Sequence, residues 1–208
     1  MTLAQDLAHL GLRERGRCAA SPEDGVSDTG TIILIGPDEP HFWPIFAASP
    51  EAHDRAASPL DRWSRRVLGA VAVAHGATPL FPFDGPPYLP FQSFATRSGQ
   101  AWPSPIGFLV HADAGLWVSF RGAVFIAGAT PKIQQRPRPC DSCPAPCRTA
   151  CPVDAFADGY DVAACKAHIN SAAGRDCITG GCRARRACPI GQNLRLPVQA
   201  QFHMEAFR

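Results

Sequence analysis

Residues 140–152 read Cys140-Asp-Ser-Cys143-Pro-Ala-Pro-Cys147-Arg-Thr-Ala-Cys151-Pro152, and the chain then supplies Cys165, Cys177, Cys182 and the pair Cys188-Pro189. Eight of the nine cysteines of this 208-residue chain lie in that one stretch. Cysteines that act only as small hydrophobes have no reason to gather, so this concentration points to a shared chemistry. Three sulfurs on one small metal cluster require the backbone to wrap it within a single loop, and prolines and small residues permit that path. Pro152 and Pro189, each directly after a cysteine, end the wrap and bring no further backbone donor.

The run C-x2-C-x2-C-x3-C-P, whose fourth cysteine serves the other cluster, is the ligand pattern of two-cluster bacterial ferredoxins. The present run matches it with one extra residue, Ala145 or Pro146, between the second and third ligands. It predicts one 4Fe–4S cluster on Cys140, Cys143, Cys147 and Cys188, and a second on Cys151, Cys165, Cys177 and Cys182. Structural zinc is the first rival, but a zinc site closes one tetrahedral centre with two C-x2-C-type pairs and leaves four of these cysteines unused. Disulfides are the second. They need an oxidising compartment, and the N-terminal residues do not read as a secretory signal.

Charge follows the cysteines. From Thr130 onward there are eleven Lys/Arg against six Asp/Glu, a formal +5, whereas residues up to Ala129 carry nine against twelve, a formal −3. Two oxidised tetrathiolate clusters bring about −2 each, which nearly neutralises the basic segment. Arg148, Arg175, Arg183, Arg185 and Arg186 crowd the ligand positions. A nucleic-acid patch is the competing use of clustered arginine, and it leaves a tRNA substrate open.

The length allows one good-sized core plus a small module. With 46% hydrophobic and 18% charged residues the composition is that of a globular protein, and 21 prolines with 18 glycines imply many irregular connections. No apolar run reaches transmembrane length, so the expectation is a cytoplasmic chain with no membrane association.

Taken in order, Leu3, Leu7 and Leu10 predict a short amphipathic helix, followed by a loop that carries Cys18 as a packed small residue. Thr31–Ile35 is a β-branched run that predicts a buried strand. The next segment reads as a loop with Phe42, Trp43 and Phe46 as plugs over the core. Ser58 as N-cap and Pro59 at the first position open a helix with an apolar face of Leu60, Trp63, Val67 and Val71 that runs to about His75. Leu80–Phe83 predicts a second strand, Asp84-Gly85-Pro86-Pro87 a turn, and Phe91–Arg97 a helix. Ile106–Val110 and Leu116–Ala127 predict two strands of one hairpin joined by residues 111–115. Thr130–Pro139 is an extended linker that sets the domain boundary. Asp161 caps a helix carrying Cys165, and residues 198–208 form a helical tail.

The stretch Cys151-Pro-Val-Asp-Ala-Phe156 with Asp161-Val-Ala-Ala-Cys165 resembles the iron–sulfur module of the epoxyqueuosine reductases. Those enzymes join a cobalamin-binding domain to a two-cluster ferredoxin-like domain, a layout shared with reductive dehalogenases. FDGPPYLPFQSFATRSGQAW (83–102) and IGFLVHADAGLWVSFRGAVFIAG (106–128) are similar to segments of the same family. SPLDRW (58–63) and the 111–128 stretch also resemble the CblC-type cobalamin-processing enzymes. The resemblance implies an α+β fold, with a nitroreductase- or flavin-reductase-like sheet domain over residues 1–129 and a small ferredoxin-like domain over 130–208.

It also implies a corrinoid (cobalamin) facing the clusters, an electron donor such as a flavodoxin, ferredoxin or reductase, and a proton-donating aspartate at the position of Asp84. Phe81, Phe83 and Tyr88 would shield that carboxyl group; the plainer reading makes Asp84 a turn former with Gly85. Trp102, Trp117 and His111 are the candidate cofactor contacts, against core packing for the tryptophans and a backbone-satisfied hairpin for the histidine. His168 is placed beside a cluster ligand. After Trp102 the family's Ile-Gly-Lys is replaced by Pro103-Ser104-Pro105-Ile106-Gly107, and no C-terminal tRNA-recognition repeats are evident. Three functions follow from this reading: a corrinoid-dependent reductase, a cobalamin-handling protein, and a ferredoxin-like electron carrier without corrinoid.

Overall fold

The computed structural model describes residues 1–26 and 29–208. In chain order the elements are α1 (Leu3–His9), β1 (Leu12–Ala19), β2 (Gly30–Pro37), α2 (Phe42–Ala47), α3 (Pro59–Ala74), β3 (Thr78–Leu80) and α4 (Phe91–Arg97). Then come β4 (Ala101–Pro103), β5 (Leu109–His111), β6 (Gly122–Ala127), α5 (Val162–Ile169), α6 (Arg175–Gly180), α7 (Arg183–Arg186) and α8 (Pro197–Phe207). The class is α+β. Two compact units emerge, Met1–Gln100 with Ser119–Arg136 and Ala101–Val118 with Pro137–Arg208. A single cut after Ala129 therefore does not describe the chain, because residues 101–118 fold with the cysteines.

In the first unit, a four-stranded antiparallel sheet has the order β1-β2-β6-β3. Every residue of β2 is buried, as a continuous β-branched run dictates when both faces of a sheet are covered. Helix α3 turns Leu60, Trp63, Val67, Leu68 and Val71 inward, one face at helical spacing. Trp63 meets Phe42 and Phe46 of α2 edge-on, with ring centroids 5.5 and 6.0 Å apart.

Four expectations are corrected here. The segment holding Cys18 is not a loop but β1, an edge strand in which Arg13, Glu14 and Arg17 stay partly or fully exposed while Leu12 and Cys18 are buried. Phe42, Trp43 and Phe46 are buried as predicted, but from the helix α2 rather than from a loop. The second strand covers Thr78–Leu80 instead of Leu80–Phe83. The expected hairpin of 106–127 does not exist as one ladder: β5 pairs with β4 in a two-stranded sheet, whereas β6 pairs with β2 and β3. Apolar runs specify burial but not a pairing partner, and here the two runs serve different cores.

Ser58 precedes α3 at φ 50° and makes no side-chain cap bond; the turn closes through Arg62 N–H to the Ser58 carbonyl at 3.0 Å. Helices α1, α4, α5 and α8 lie where the sequence puts them, and Thr130–Pro139 contains no helix or strand.

The turn before α3 is fastened by an ion pair. Glu51 is 8% exposed and accepts two bonds from Arg66, Nε at 2.5 Å and Nη2 at 2.8 Å. The Arg66 guanidinium, more than burial opposes it, holds the Glu51 carboxyl down at about 2. A depressed carboxylate stabilises the fold above its unfolded value near 4.3, and that contribution disappears as pH falls toward 2. Because Arg66 is half exposed, solvent screens the pair. Glu51→Gln is expected to lower unfolding free energy by about 1–2 kcal/mol at pH 7 and to match the parent near pH 2, as read by urea denaturation at the two pH values.

Candidate metal centre

All eight cysteines of the C-terminal stretch lie in the second unit, and all nine cysteines of the chain are free thiols. The eight fall into two groups. Cys140, Cys143, Cys147 and Cys188 line one small cavity of about 20 Å³. Cys151, Cys165, Cys177 and Cys182 line another of about 20 Å³. These are the two sets of four drawn from the spacing.

Local structure explains how each sulfur reaches its cavity. In the first set, Cys143 N–H bonds the Cys140 carbonyl at 3.3 Å, and the extra residue of the run is absorbed at Ala145, which sits at φ 55°. A left-handed alanine costs about 1–2 kcal/mol, and it reverses the chain so that Cys147 follows on a short turn. Ala145 N–H also points at the Cys143 sulfur, 3.4 Å away. In the second set, Ala155 N–H lies 3.4 Å from the Cys151 sulfur. Asp161 caps α5 by accepting from Ala164 N–H at 2.8 Å, and Cys165 follows in the first turn. Cys177 projects from α6, and Gly181, at φ 84°, turns the chain so that Cys182 precedes α7.

The surroundings are apolar. Ile106, Val110 and Leu116, from the 101–118 insertion, pack in one cluster with Cys147, Ala184 and Cys188. Ala184 and Phe156 also line the second cavity, so a single apolar wall borders both sets of sulfurs. Phe108, Phe156, Tyr160 and Phe207 form a chain of ring contacts with centroids 4.9–6.4 Å apart. Arg185 lies over Phe108 at 4.7 Å and donates to the Leu116 carbonyl at 2.9 Å. Arg183 (at 2.5 Å) and Arg186 both pair with Asp176.

Burial pushes the thiols of Cys140, Cys147, Cys177 and Cys182 up from their ordinary value. Neighbouring sulfurs push the same way, and each such pair belongs to one set: Cys143 and Cys188 on Cys140, Cys188 and Cys140 on Cys147, Cys182 on Cys177, Cys165 on Cys182. Among the described residues, no group of three or more His, Cys, Asp or Glu side chains closes on a single ion. A lone zinc needs its sulfurs roughly 2.3 Å from a common centre. Each set instead places four thiols around one small apolar hole.

The other predicted residues are placed as follows. His168 lines the second cavity. Trp102 is partly buried against the cluster that holds Cys147 and Cys188. His111 is 1% exposed, and its Nδ1 accepts from the N–H groups of Asp113 and Ala114 at 3.0 and 3.3 Å. Trp117 is 8% exposed beneath the guanidinium of Arg195. Asp84 belongs to the other unit, where its carboxylate pairs with Arg65, itself stacked over Phe81 and Phe83 at 5.0 and 5.2 Å. Tyr88 is exposed. The sequence did not reveal that Val110 and Leu116 wall a cysteine cavity. The i, i+4 pair Phe156 and Tyr160 was the signal available for the aromatic chain.

No protein-family model matches the chain, and no curated protein matches it either.

One contact fixes the wall against the ligand loop. Gly115, at φ 55°, has the Ile190 carbonyl oxygen 2.0 Å from where a Cβ would stand, and the Cys188 sulfur at 3.2 Å. Gly115→Ala is expected to cost about 2–4 kcal/mol and to increase the rate at which Cys188 reacts with a thiol reagent, measured by denaturation and by mass-resolved alkylation.

Proposed function

We propose that the cysteine-rich unit holds two 4Fe–4S clusters and that the protein is an iron–sulfur redox protein. The observation that carries the reading is the division of eight thiols, four and four, between two apolar cavities that share a wall. Cys140, Cys143, Cys147 and Cys188 would hold one cluster, and Cys151, Cys165, Cys177 and Cys182 the other. When bound, such a cluster supplies a centre that gains and loses single electrons.

The remaining chemistry belongs to the chain. The cysteines would give up their protons to bind metal, whose charge would offset the burial that pushes the thiols of Cys140, Cys147, Cys177 and Cys182 up. N–H groups of Ala145 and Ala155 aimed at the Cys143 and Cys151 sulfurs would draw thiolate charge toward themselves and so favour the reduced state of a bound cluster. Val110, Leu116, Phe156 and Ile169 keep water from the sulfurs. Arg185, against the aromatic chain, offsets negative charge beside the second set. The shared wall through Ala184 and Phe156 puts the two sets within one packed body, which suits a relay that takes electrons from a flavodoxin, ferredoxin or reductase.

Delivery of those electrons to a corrinoid, in a reductase or a cobalamin-processing reaction, is the finer proposal and rests on the family resemblance. Two observations favour the plainer electron carrier. The Asp84 carboxylate is engaged by Arg65, and the His111 Nδ1 is engaged by its own loop.

Anaerobic purification is expected to yield about eight irons and eight acid-labile sulfides per chain. Cys182→Ser and Cys188→Ser are each expected to lose about half of the iron, from different clusters. Stoichiometric zinc without sulfide would sink the assignment. Titration with hydroxocobalamin under reducing conditions then separates the finer readings: a saturable spectral change supports corrinoid chemistry, and its absence leaves the electron carrier.

A further inference from the structure

A third concavity lies in the cysteine-rich unit, and none of the eight cysteines lines it. It is an open groove of about 460 Å³ whose lining includes Trp117, Gly180, Arg186, Gln192, Asn193 and Arg195. Its chemistry differs from that of the cysteine cavities. Two guanidinium groups and two carboxamides face it, and among the described residues no carboxylate lines it. The volume falls in the range of small-molecule sites, roughly 300–1,000 Å³.

The two arginines are held differently. Arg195 donates from Nη2 to the Trp117 carbonyl at 2.8 Å and lies over the Trp117 ring with its guanidinium carbon 5.2 Å from the centroid. A guanidinium seated on an indole forms a flat cationic platform, a surface on which a planar ring stacks. The indole itself is fixed from below, since a Cβ at Gly181 would come within 2.9 Å of it. Arg186 stands on the rim, tethered to Asp176 through one nitrogen, so its planar fork keeps donors for an anion. Gln192 and Asn193 are exposed and bring amide donors and acceptors to the same groove.

We propose that this groove binds a mononucleotide, a planar ring bearing a phosphate. The ring stacks on the Arg195–Trp117 platform, and Arg186 with the carboxamides takes the phosphate. Phosphate suits the fork of Arg186 because guanidinium donors not taken by Asp176 favour an oxyanion. The site is independent of the proposed clusters. Its occupancy is the same question for the protein with or without iron, so loss of one reading leaves the other standing.

The test is titration of the full-length chain into flavin mononucleotide, followed by flavin fluorescence, with AMP as a non-fluorescent competitor. Expected are saturable quenching and displacement by AMP. Riboflavin, which has the ring without phosphate, and inorganic phosphate, which has no ring, should each bind at least tenfold more weakly. Arg186→Gln should weaken binding about tenfold, as loss of one charge-assisted bond does. Gln192→Glu, at an exposed position that leaves the fold intact, should weaken it comparably by placing a carboxylate in the lining. No quenching up to millimolar protein, riboflavin binding as tightly as flavin mononucleotide, or two folded variants that bind like the parent would each overturn the proposal. So would a single-stranded oligonucleotide that binds where both mononucleotides fail, since that makes the groove a nucleic-acid surface.

Discussion

Eight sulfurs at close quarters, with Cys147, Cys177 and Cys188 buried and the other five partly so, set the terms for the cysteine-rich unit. A thiolate in an apolar cavity loses its water and gains nothing in return unless positive charge stands beside it. The effect is visible at Cys140, Cys147, Cys177 and Cys182, which burial and neighbouring sulfurs drive toward the protonated form. The apolar wall of Ile106, Val110 and Leu116 therefore does two things at once. It builds the core of the unit, and it disfavours the charged form of the thiols at Cys140, Cys147, Cys177 and Cys182. The surrounding cations are mostly occupied: Arg183 and Arg186 share Asp176, and Arg185 reaches the Leu116 carbonyl.

The first unit is organised by β2, buried along its whole length, while α3 packs against β6 and β3 of the same sheet. Polar pairs fasten the periphery of this core rather than its middle. Asp6 and His75 share a hydrogen bond at 2.7 Å, Arg97 pairs with Asp24 at 2.7 Å, and Arg66 with Glu51. Arg97 also approaches the buried Cys18 sulfur at 3.7 Å, so the ninth cysteine is a packed residue beside a cation, apart from the other eight.

What the sequence disclosed follows from which signals are local. Cysteine spacing is local chemistry, so the membership of the two sets could be read from residues 140–188 alone. Helices with a periodic face, such as α3, or with a cap within reach, such as Asp161 before α5, were equally open to reading. The edge strand β1 was hidden, because an arginine-rich strand with one solvated side carries the composition of a loop. Partner choice was hidden as well. Leu109–His111 and Gly122–Ala127 are both apolar and nearly adjacent, and nothing within either run says that one belongs with Ala101–Pro103 and the other with β2. Long-range pairing is a property of the whole core, so the placement of residues 101–118 had to come from three dimensions.

That placement governs how the protein comes into being. The polypeptide leaves the sheet-bearing unit after Gln100, contributes eighteen residues to the cysteine-bearing one, returns at Ser119, and leaves again after Arg136. During translation the inserted segment emerges long before any of the sulfurs it will shelter, and its apolar side chains must wait, uncovered, for the C-terminal third of the chain. A piece cut to begin at Pro137 would carry every one of those sulfurs yet lack the lining that keeps water off them. The cysteine-bearing part is thus not a detachable cassette, and its maturation is tied to completion of the entire polypeptide.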